Sequence, residues 1–235
     1  MKLDASLAIA LLLSVHWCRQ AKALPAQSMG DFAQLRSHAD TYVVQVAGAA
    51  AGTVVYDLLV TPGSVISTVV QFTRKSMQQH VVTTLDPLSL RPREVRDSEP
   101  GELTNLVFRE GRIRGTRITW DSTGRVDTTA LNLPSDPATI ERRTLMTFIP
   151  CLPLEPGRDF TTSVFDSRTL ETALVHIAVR NVHRISLSSR TLDAFQVVLD
   201  GDLLVLPETV YVSTETPRRV LRTERPKRLL RVELP

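Results

Sequence analysis

The sequence contains few cysteines and few aromatic residues, and each scarcity excludes a class of protein. Its 2 cysteines are Cys18 and Cys151, which excludes a small scaffold held together by several disulfides. Aromatic residues make up 5% of the chain, whereas sugars and single-stranded nucleic acids are usually bound on several aromatic platforms. The composition therefore favours a protein with an aliphatic core and no nucleic-acid partner.

The sequence also lacks the short motifs that mark common catalytic and cofactor sites. It contains no G-x-S-x-G nucleophile elbow and no G-x-x-x-x-G-K-[ST] or G-x-G-x-x-G phosphate loop. It also contains no H-E-x-x-H motif and no closely spaced pair of cysteines, which are the usual ligands of zinc. We therefore expect no enzymatic activity, no cofactor and no metal site.

The first 23 residues have the pattern of a secretory signal peptide. A positive start at Lys2 precedes the uncharged apolar run Ala5–Val15, and Ala21-Lys22-Ala23 places small residues at the two positions that a signal peptidase recognises. The apolar run is about half of the ~20 residues that a membrane-spanning helix needs. We expect cleavage after Ala23 and export to the periplasm, with association with the outer membrane as a further expectation. A buried N-terminal helix is the alternative interpretation.

Cleavage leaves one cysteine in the exported chain. Lipid attachment at Cys18 is disfavoured because the bulky side chains of His16 and Trp17 precede it, where small residues are required. The remaining Cys151 lies in the apolar segment FIPCLPL, which predicts a buried and inert thiol. A reactive thiol or an intermolecular bridge is the alternative.

The net charge of the whole chain overstates the charge of the exported protein. The formal net charge is +3, but Lys2, Arg19 and Lys22 outnumber Asp4 within the signal, which leaves about +1 after cleavage. A charge this small gives no general attraction to nucleic acid. After Ala23 no apolar stretch is long enough to span a membrane, so we expect no transmembrane segment in the mature chain.

The remainder of the sequence has the pattern of a β-rich domain. Residues 24–40 form a leader in which Asp31–His38 is predicted to be a short helix with Asp31 as its N-cap. From Thr41 onward, short segments rich in Val, Ile, Thr and Leu alternate with turns at Gly, Pro, Asp or Ser, which predicts antiparallel strands. The predicted strands are Thr41–Ala47, Gly52–Val60, Ser64–Arg74, Gln78–Leu85, Ser89–Arg96, Glu102–Arg109, Arg112–Trp120, Arg125–Leu131, Phe160–Phe165, Glu171–Val182, Arg184–Arg190, Asp193–Val198, Leu203–Leu206, Glu208–Thr214, Arg218–Thr223 and Arg228–Leu234.

One segment, residues 136–157, interrupts this pattern. Asp136-Pro137 provides an N-cap and a first-turn proline, and the apolar residues that follow have helical spacing until Pro150. We predict one helix over about 137–149, packed on or plugging one continuous sheet, because an apolar segment is unsuited to a linker between domains. The predicted fold is mainly β: a single domain over 41–235 whose antiparallel strands curl into an open barrel or half-barrel.

Basic residues cluster near the C-terminus. Arg218, Arg219 and Arg222 are candidates for contact with an anionic surface, such as lipid headgroups or an acidic polymer of the envelope. The alternative is that they form the polar face of a terminal hairpin, where charge discourages edge-to-edge aggregation.

No sequence motif marks a catalytic site, but two histidines are candidates for catalysis. His176 and His183 are close in sequence, and in a hydrolase we expect them to meet across a hairpin near Asp166 or Asp193. The alternative is that both lie on the polar face of half-exposed strands, in keeping with their Val- and Arg-rich surroundings.

Three segments, taken in order, form a recognisable pattern. They are TLDPLSLRPREVR at Thr84–Arg96, LPLEPGRDF at Leu152–Phe160 and YVSTETPRRVLRTE at Tyr211–Glu224. Together they resemble the DUF3108 family of exported bacterial proteins, although Glu215 stands where aspartate is more usual and Arg219-Val220 lacks a proline. The resemblance implies a periplasmic β-rich protein of no established activity, akin in fold to LolA-like periplasmic lipoprotein carriers.

These observations favour a non-enzymatic protein of the cell envelope. We expect its curved sheet to bind a lipid, an acyl chain or another hydrophobic ligand on the concave face, with a lipid or lipoprotein as partner. The sequence does not single out the ligand-binding residues. Two alternatives stay open: an interaction or scaffolding protein that uses the basic C-terminal surface, and an unrecognised hydrolase. A continuous apolar cavity favours the carrier, and a filled interior favours the scaffold.

Overall fold

The fold is described from a computed structural model that covers residues 24–25, 30–73, 76–188, 190–202 and 208–235. The predicted signal peptide, with Ala23, and the predicted strand Leu203–Leu206 lie outside the described residues. Among the described residues, no helix is both long and apolar enough to span a membrane.

Strands dominate the structure, which confirms the predicted mainly β fold. Sixteen are found among the described residues, and most lie close to the predicted positions. The strands are β1 (Leu24–Pro25), β2 (His38–Val46), β3 (Ala49–Val60), β4 (Val65–Thr73), β5 (Met77–Leu85), β6 (Pro92–Glu99), β7 (Glu102–Arg109), β8 (Arg112–Trp120), β9 (Val126–Pro134), β10 (Thr139–Glu141), β11 (Asp159–Asp166), β12 (Glu171–Ser186), β13 (Thr191–Gly201), β14 (Glu208–Ser213), β15 (Val220–Arg225) and β16 (Leu230–Glu233).

All of these strands belong to one open, curled sheet. Strands β2 to β9 form an antiparallel meander, β11 to β16 form a second, and β16 joins the two by pairing with β2. Strand β9 ends the sheet on one side. On the other side, β1 and β10 pair in parallel with the outer edge of β11. The sheet is therefore a half-barrel rather than a closed ring.

The segment between β9 and β11 is less helical than predicted. Asp136 does not start a helix: its side chain accepts from the backbone nitrogen of Ala138 at 2.6 Å, and its carbonyl closes a turn with Thr139. Residues 139–141 then form β10, because Thr139 and Ile140 are β-branched and pair with β11. Helical structure in this segment is confined to residues 142–151, called the plug below, which consist of a 3₁₀ turn, the short helix α1 (Leu145–Phe148) and a second 3₁₀ turn.

The plug lies against the concave face of the sheet and forms the centre of the core. Phe148 and Ile149 are fully buried, together with Leu152 just after the plug. They pack with the inward-facing residues Leu58 on β3 and Leu199 on β13, among others. Burying one such side chain contributes roughly 1.5–3 kcal/mol. Because residues of both meanders pack against the plug, it gives them a shared apolar surface.

A second apolar cluster packs strands β5 to β8 of the first meander against β11. Phe165 on β11 is fully buried with Val81, Val95 and Ile113, and its ring packs edge-on against Phe108 with the centroids 5.6 Å apart. Only side chains connect the two meanders on this side, because β9 has no backbone ladder with β11 and pairs with β8 alone among the described strands.

Two local differences from the sequence expectations have simple causes. The two strands predicted over 171–190 are one strand, β12, because His183, the residue between them, pairs with Ala194 on β13; the irregularity of β12 is a bulge between Val179 and Val182. The predicted helix Asp31–His38 is a single 3₁₀ turn at Phe32–Gln34; Asp31 does cap it, through Ala33 N at 3.2 Å. By contrast, β7 and β8 have the predicted bounds, because Glu110 and Gly111 both adopt the positive φ that a tight hairpin needs.

Gly115 on β8 lies where the sheet leaves no room for a side chain. A Cβ at this position would lie 1.9 Å from the backbone oxygen of Asn105 on β7. Gly115→Ala is therefore expected to lower the free energy of unfolding by about 1–3 kcal/mol, the usual cost of overpacking, as measured by chemical denaturation.

Gly63→Ala is the matched control. A Cβ at Gly63 meets no atom within 4 Å, and Gly63 does not adopt a positive φ. We expect its free energy of unfolding to stay within about 0.5 kcal/mol of wild type. Equal effects of the two substitutions would contradict this account of Gly115.

Candidate functional site

The plug does not fill the concave face completely, and a cavity of about 640 Å³ remains. This volume lies within the roughly 300–1,000 Å³ of typical small-molecule sites. Strands β2–β5 and β13–β16 contribute to the wall, and α1 adds two residues. The apolar wall residues are Tyr42, Val54, Tyr56, Val69, Leu145, Met146, Leu199, Val220 and Val232.

The alternation of side chains along each strand determines which residues line the cavity. On β4, Val69 lies on the cavity wall and pairs with Tyr56 on β3. The next residue, Val70, points to the opposite face of the sheet, where it pairs with Val55 and His80. Val69 and Val70 are therefore the same type of residue, but of the two only Val69 lies on the cavity wall.

The two tyrosines of the wall present their rings to the cavity while their hydroxyls are occupied. Tyr56 is hydrogen-bonded to Thr147 of the plug and accepts a hydrogen bond from Ser67 Oγ at 3.1 Å. Burial raises the pKa of Tyr56 to about 12. The hydroxyl of Tyr42 donates to the carbonyl of Val220 at 3.0 Å. These rings therefore act as apolar surface.

A network of buried and half-buried polar side chains joins β5 and β6 to the plug. Its members, here called the polar seam, are Gln79, Asp97, Glu141, Arg143 and Ser167. The Gln79 amide nitrogen donates to Asp97 Oδ1 at 3.1 Å, and the Gln79 oxygen accepts from Arg143 Nε at 3.3 Å and Nη2 at 3.1 Å. Ser167 Oγ donates to Asp97 Oδ2 at 2.8 Å and lies 3.3 Å from Glu141 Oε1. Gln79 and Arg143 also line the cavity.

The environment of Glu141 favours the protonated carboxyl. Burial raises the pKa of this fully buried group to about 7, against the opposing field of Arg143. The geometry agrees, because the hydroxyl of Ser167 has one proton, which it donates to Asp97. The contact between Ser167 Oγ and Glu141 Oε1 is then favourable when Glu141 supplies the proton. The other oxygen, Oε2, accepts from the backbone nitrogen of Arg143 at 2.6 Å.

The arginines near the polar seam differ in their partners. Three form ion pairs: Arg142 with Asp166, Arg168 with Glu99 at 3.6 Å, and Arg117 with Glu102 at 3.1 Å. Burial opposes the ionisation of Asp166, but the field of Arg143 and the hydrogen bond from Arg142 outweigh it and lower the pKa of Asp166. Arg143 itself has no carboxylate within ion-pair distance among the described residues, and its guanidinium bonds to the neutral amide of Gln79.

The other charged groups of the cavity wall are paired or exposed. Arg225 donates from Nε and Nη2 to Glu208 Oε2 at 3.0 and 2.6 Å, which links β15 to β14. Arg228, Glu171 and Asp202 also line the cavity and are exposed to solvent.

The three arginines predicted to contact an anionic surface have internal partners. Arg218 Nη1 donates to the carbonyl of Leu152 at 2.7 Å. Arg219 lies 3.4 Å from Asp40, and Arg222 lies 2.8 Å from Glu233. Contact of Arg218, Arg219 and Arg222 with an anionic surface stays a prediction, and these internal bonds would compete with it.

The two candidate catalytic histidines do not meet. His176 and His183 lie on the same strand, β12, so their separation is roughly 20 Å at about 3.3 Å per residue, and the expected meeting across a hairpin is wrong. His183 Nε2 is 3.1 Å from Gln196 Oε1, while Asp166 is paired with Arg142. In the described part of the chain, no group of three or more His, Cys, Asp or Glu side chains is placed to hold a metal ion.

Cys151 has the buried position that the sequence predicts. Its side chain is 2% exposed, and its Sγ donates to the carbonyl of Thr147 at 3.3 Å. Burial raises the pKa of its thiol to about 12, so the reactive thiolate is strongly disfavoured.

The sequence reasoning missed the polar seam. Gln79 and Asp97 occupy inward-facing positions of β5 and β6 next to apolar inward residues such as Val81 and Val95. Glu141 and Arg143 interrupt a segment otherwise read as an apolar helix. Polar residues at inward positions were the available signal, and it becomes informative once strand register is known.

Glu141→Gln tests the protonation of the polar seam. Because folding raises the pKa of Glu141 from 4.5 to about 7, the folded state binds the proton more tightly. The stability that this proton contributes is complete below pH 4.5 and is lost as the pH rises to about 7. Glutamine resembles the protonated acid, so we expect the variant to avoid this loss and to gain at most about 3 kcal/mol on wild type across the window.

The measurement is the free energy of unfolding of both proteins between pH 4 and pH 8. Titrations of the other groups are common to both proteins and cancel in the difference. A difference that does not change between pH 4.5 and pH 7 would show that Glu141 is not the group that holds this proton.

Comparisons with known proteins are consistent with this architecture. The family described as "Protein of unknown function (DUF3108)" matches residues 41–224. No curated protein matches the sequence. The chain is similar in structure to a beta-barrel-like protein of domain of unknown function DUF1849 from Brucella abortus, with a TM-score of 0.51 and 10% identity over 85% of this chain and 95% of that chain. That likeness concerns the fold, whereas the sequence match, which covers most of the chain, shows that the protein belongs to the DUF3108 family.

Proposed function

We propose that this protein is a non-enzymatic binding protein that holds the apolar part of a lipid, an acyl chain or a similar amphipathic molecule in its cavity. The observation that carries the proposal is the cavity of about 640 Å³ with nine apolar residues on its wall. Protein interiors are normally packed as densely as organic crystals. An opening of this size beside a well-packed plug therefore suits a ligand better than a packing defect.

The arrangement of polar groups favours binding over catalysis. On the cavity wall, Gln79, Asp166 and Glu208 are hydrogen-bonded to neighbouring side chains of the protein. A general base or nucleophile must be within hydrogen-bond reach of the group on which it acts. Side chains held in this way are better suited to shaping a wall than to exchanging protons with a ligand.

We further propose that the protein acts in the periplasm. The pattern of residues 1–23, with its short apolar run and small residues before Leu24, supports export. A lipid-binding protein in this compartment would shield an acyl chain from water between membranes, which is a task for the apolar residues of the cavity wall.

Filling the cavity is expected to abolish binding of an apolar probe. Val69→Trp places an indole on the cavity wall, so the affinity for the neutral dye 1-N-phenylnaphthylamine is expected to fall at least about tenfold. This corresponds to losing roughly 1.4 kcal/mol of apolar contact. The change is measured from the fluorescence of the dye during titration.

Val70→Trp is the matched control. It adds the same side chain one residue later, on the face of β4 that points away from the cavity. We expect this variant to bind the dye as wild type does. If wild type does not bind the dye, or if both variants bind it equally, then the cavity is not the binding site.

Export makes a separate prediction about the mature N-terminus. The chain, expressed with residues 1–23 in a Gram-negative bacterium, is expected in the periplasmic fraction with Leu24 as its first residue, as determined by intact-mass spectrometry. Ala23→Asp should block cleavage, because signal peptidase requires a small residue there. A full-length protein in the cytoplasmic fraction would contradict the proposed location without bearing on the cavity.

A further inference from the structure

We propose that Arg143 recognises an anionic head group, a carboxylate or a phosphate, on the ligand held in the cavity. This inference rests on the proposed function, because it assigns the polar end of the same ligand. It is carried by the partners of Arg143, by the way its guanidinium is held, and by its place on the cavity wall.

The first observation concerns charge. The neighbouring arginines Arg142, Arg168 and Arg117 each have a carboxylate within 4 Å. Within the described ranges, Arg143 has none, and both hydrogen bonds from its guanidinium go to the uncharged oxygen of Gln79. Buried or half-buried charges are normally paired. The carboxyl groups of Asp166, Glu141 and Glu99 act on the Arg143 guanidinium only through their fields, from beyond ion-pair distance. An anionic group of a ligand would supply the direct ion pair that the described residues do not provide.

The second observation is that hydrogen bonds to Gln79 fix the orientation of the Arg143 guanidinium. Gln79 accepts from Nε and Nη2, and the Gln79 amide is itself fixed by bonds to Asp97 at 3.1 Å and Glu99 at 2.9 Å. The backbone nitrogen of Arg143 is bonded to Glu141. These bonds orient the guanidinium before a ligand arrives, which lowers the entropy cost of binding. They leave Nη1 without a hydrogen bond to any residue that the structure describes.

The third observation is position. Arg143 lies on the cavity wall two residues before Leu145 and three before Met146, which are apolar wall residues. An amphipathic molecule could thus place its chain against these side chains and its head group at Arg143. Because Arg143 is half-buried, its charge is less screened than that of the exposed wall residues Glu171 and Asp202.

The guanidinium of Arg143 selects a class of head group, the carboxylates and phosphates, and not one molecule. A guanidinium binds carboxylate and phosphate through parallel N–H donors, whereas an alcohol offers no negative charge. A fatty acid and a phospholipid-like phosphate ester therefore both fit, and so does a free anion that lacks a chain. The test below separates these sources.

The experiment measures displacement of 1-N-phenylnaphthylamine from the full mature chain. The competitors are dodecanoic acid, dodecyl phosphate, dodecanol and inorganic phosphate. We expect both anionic amphiphiles to bind wild type at least about tenfold more tightly than dodecanol, the usual gain from a charge-assisted hydrogen bond. Inorganic phosphate should not displace the dye at these concentrations, since it lacks the apolar part.

Arg143→Gln is expected to remove the preference for anionic amphiphiles while the dye and dodecanol still bind. Arg228→Gln is the matched control, because it removes another arginine of the cavity wall, and it should keep the preference. Arg143→Lys keeps the charge but loses the planar fork, so its preference should fall about threefold or more. This variant decides the matter if Arg143→Gln does not fold.

Each contrary outcome has a distinct meaning. Dye binding by wild type without a preference for the anions would overturn the assignment of Arg143 and leave the proposed function intact. Loss of the preference in Arg228→Gln but not in the Arg143 variants would move the head group to the exposed side of the cavity. Failure of wild type to bind the dye or any amphiphile would overturn both proposals together.

Discussion

The apolar contact between the plug and the concave face of the sheet is the interaction on which the rest of the structure depends. An antiparallel sheet of this width buries little of its own surface unless it curls around something. Phe148 and Ile149 provide that centre, and the strands on either side of β16 and β2 pack onto it. The same insertion carries Arg142 and Arg143 inside the curl, so the packing of the core and the chemistry of the cavity have one origin.

Burial of so many polar side chains beside the plug is tolerated because they satisfy one another. Asp97, Glu141 and Asp166 are each at most 4% exposed, and a buried carboxylate without partners would cost several kcal/mol. Hydrogen bonds from Gln79 and Ser167 to Asp97, the ion pair of Asp166 with Arg142 and the raised pKa of Glu141 offset that cost. The arrangement thus links β6 to β10 through the side chains of Asp97, Ser167 and Glu141 instead of through a backbone ladder.

The sequence predicted the fold better than the site, for a physical reason. Strand patterns and turn residues are local, so the hairpin at Glu110-Gly111 and the curled mainly β sheet could be predicted from neighbouring residues. The helix over 137–149 was overestimated because its apolar spacing ignored the pairing of Thr139 and Ile140 with a strand more than 20 positions later. The polar seam joins residues that are up to 88 positions apart, Gln79 and Ser167 among them, and no local pattern connects such positions.

The open edge between β9 and β11 gives the cavity a freedom that closed barrels lack. In a closed barrel, strand number and stagger set the circumference, and widening it requires a strand to slip or its backbone bonds to break. Here the two halves of the curl meet through packed side chains and the polar seam, whereas every backbone ladder runs within a half or across β16 and β2. Separating the two edges would therefore break side-chain contacts and leave every backbone ladder between the described strands intact.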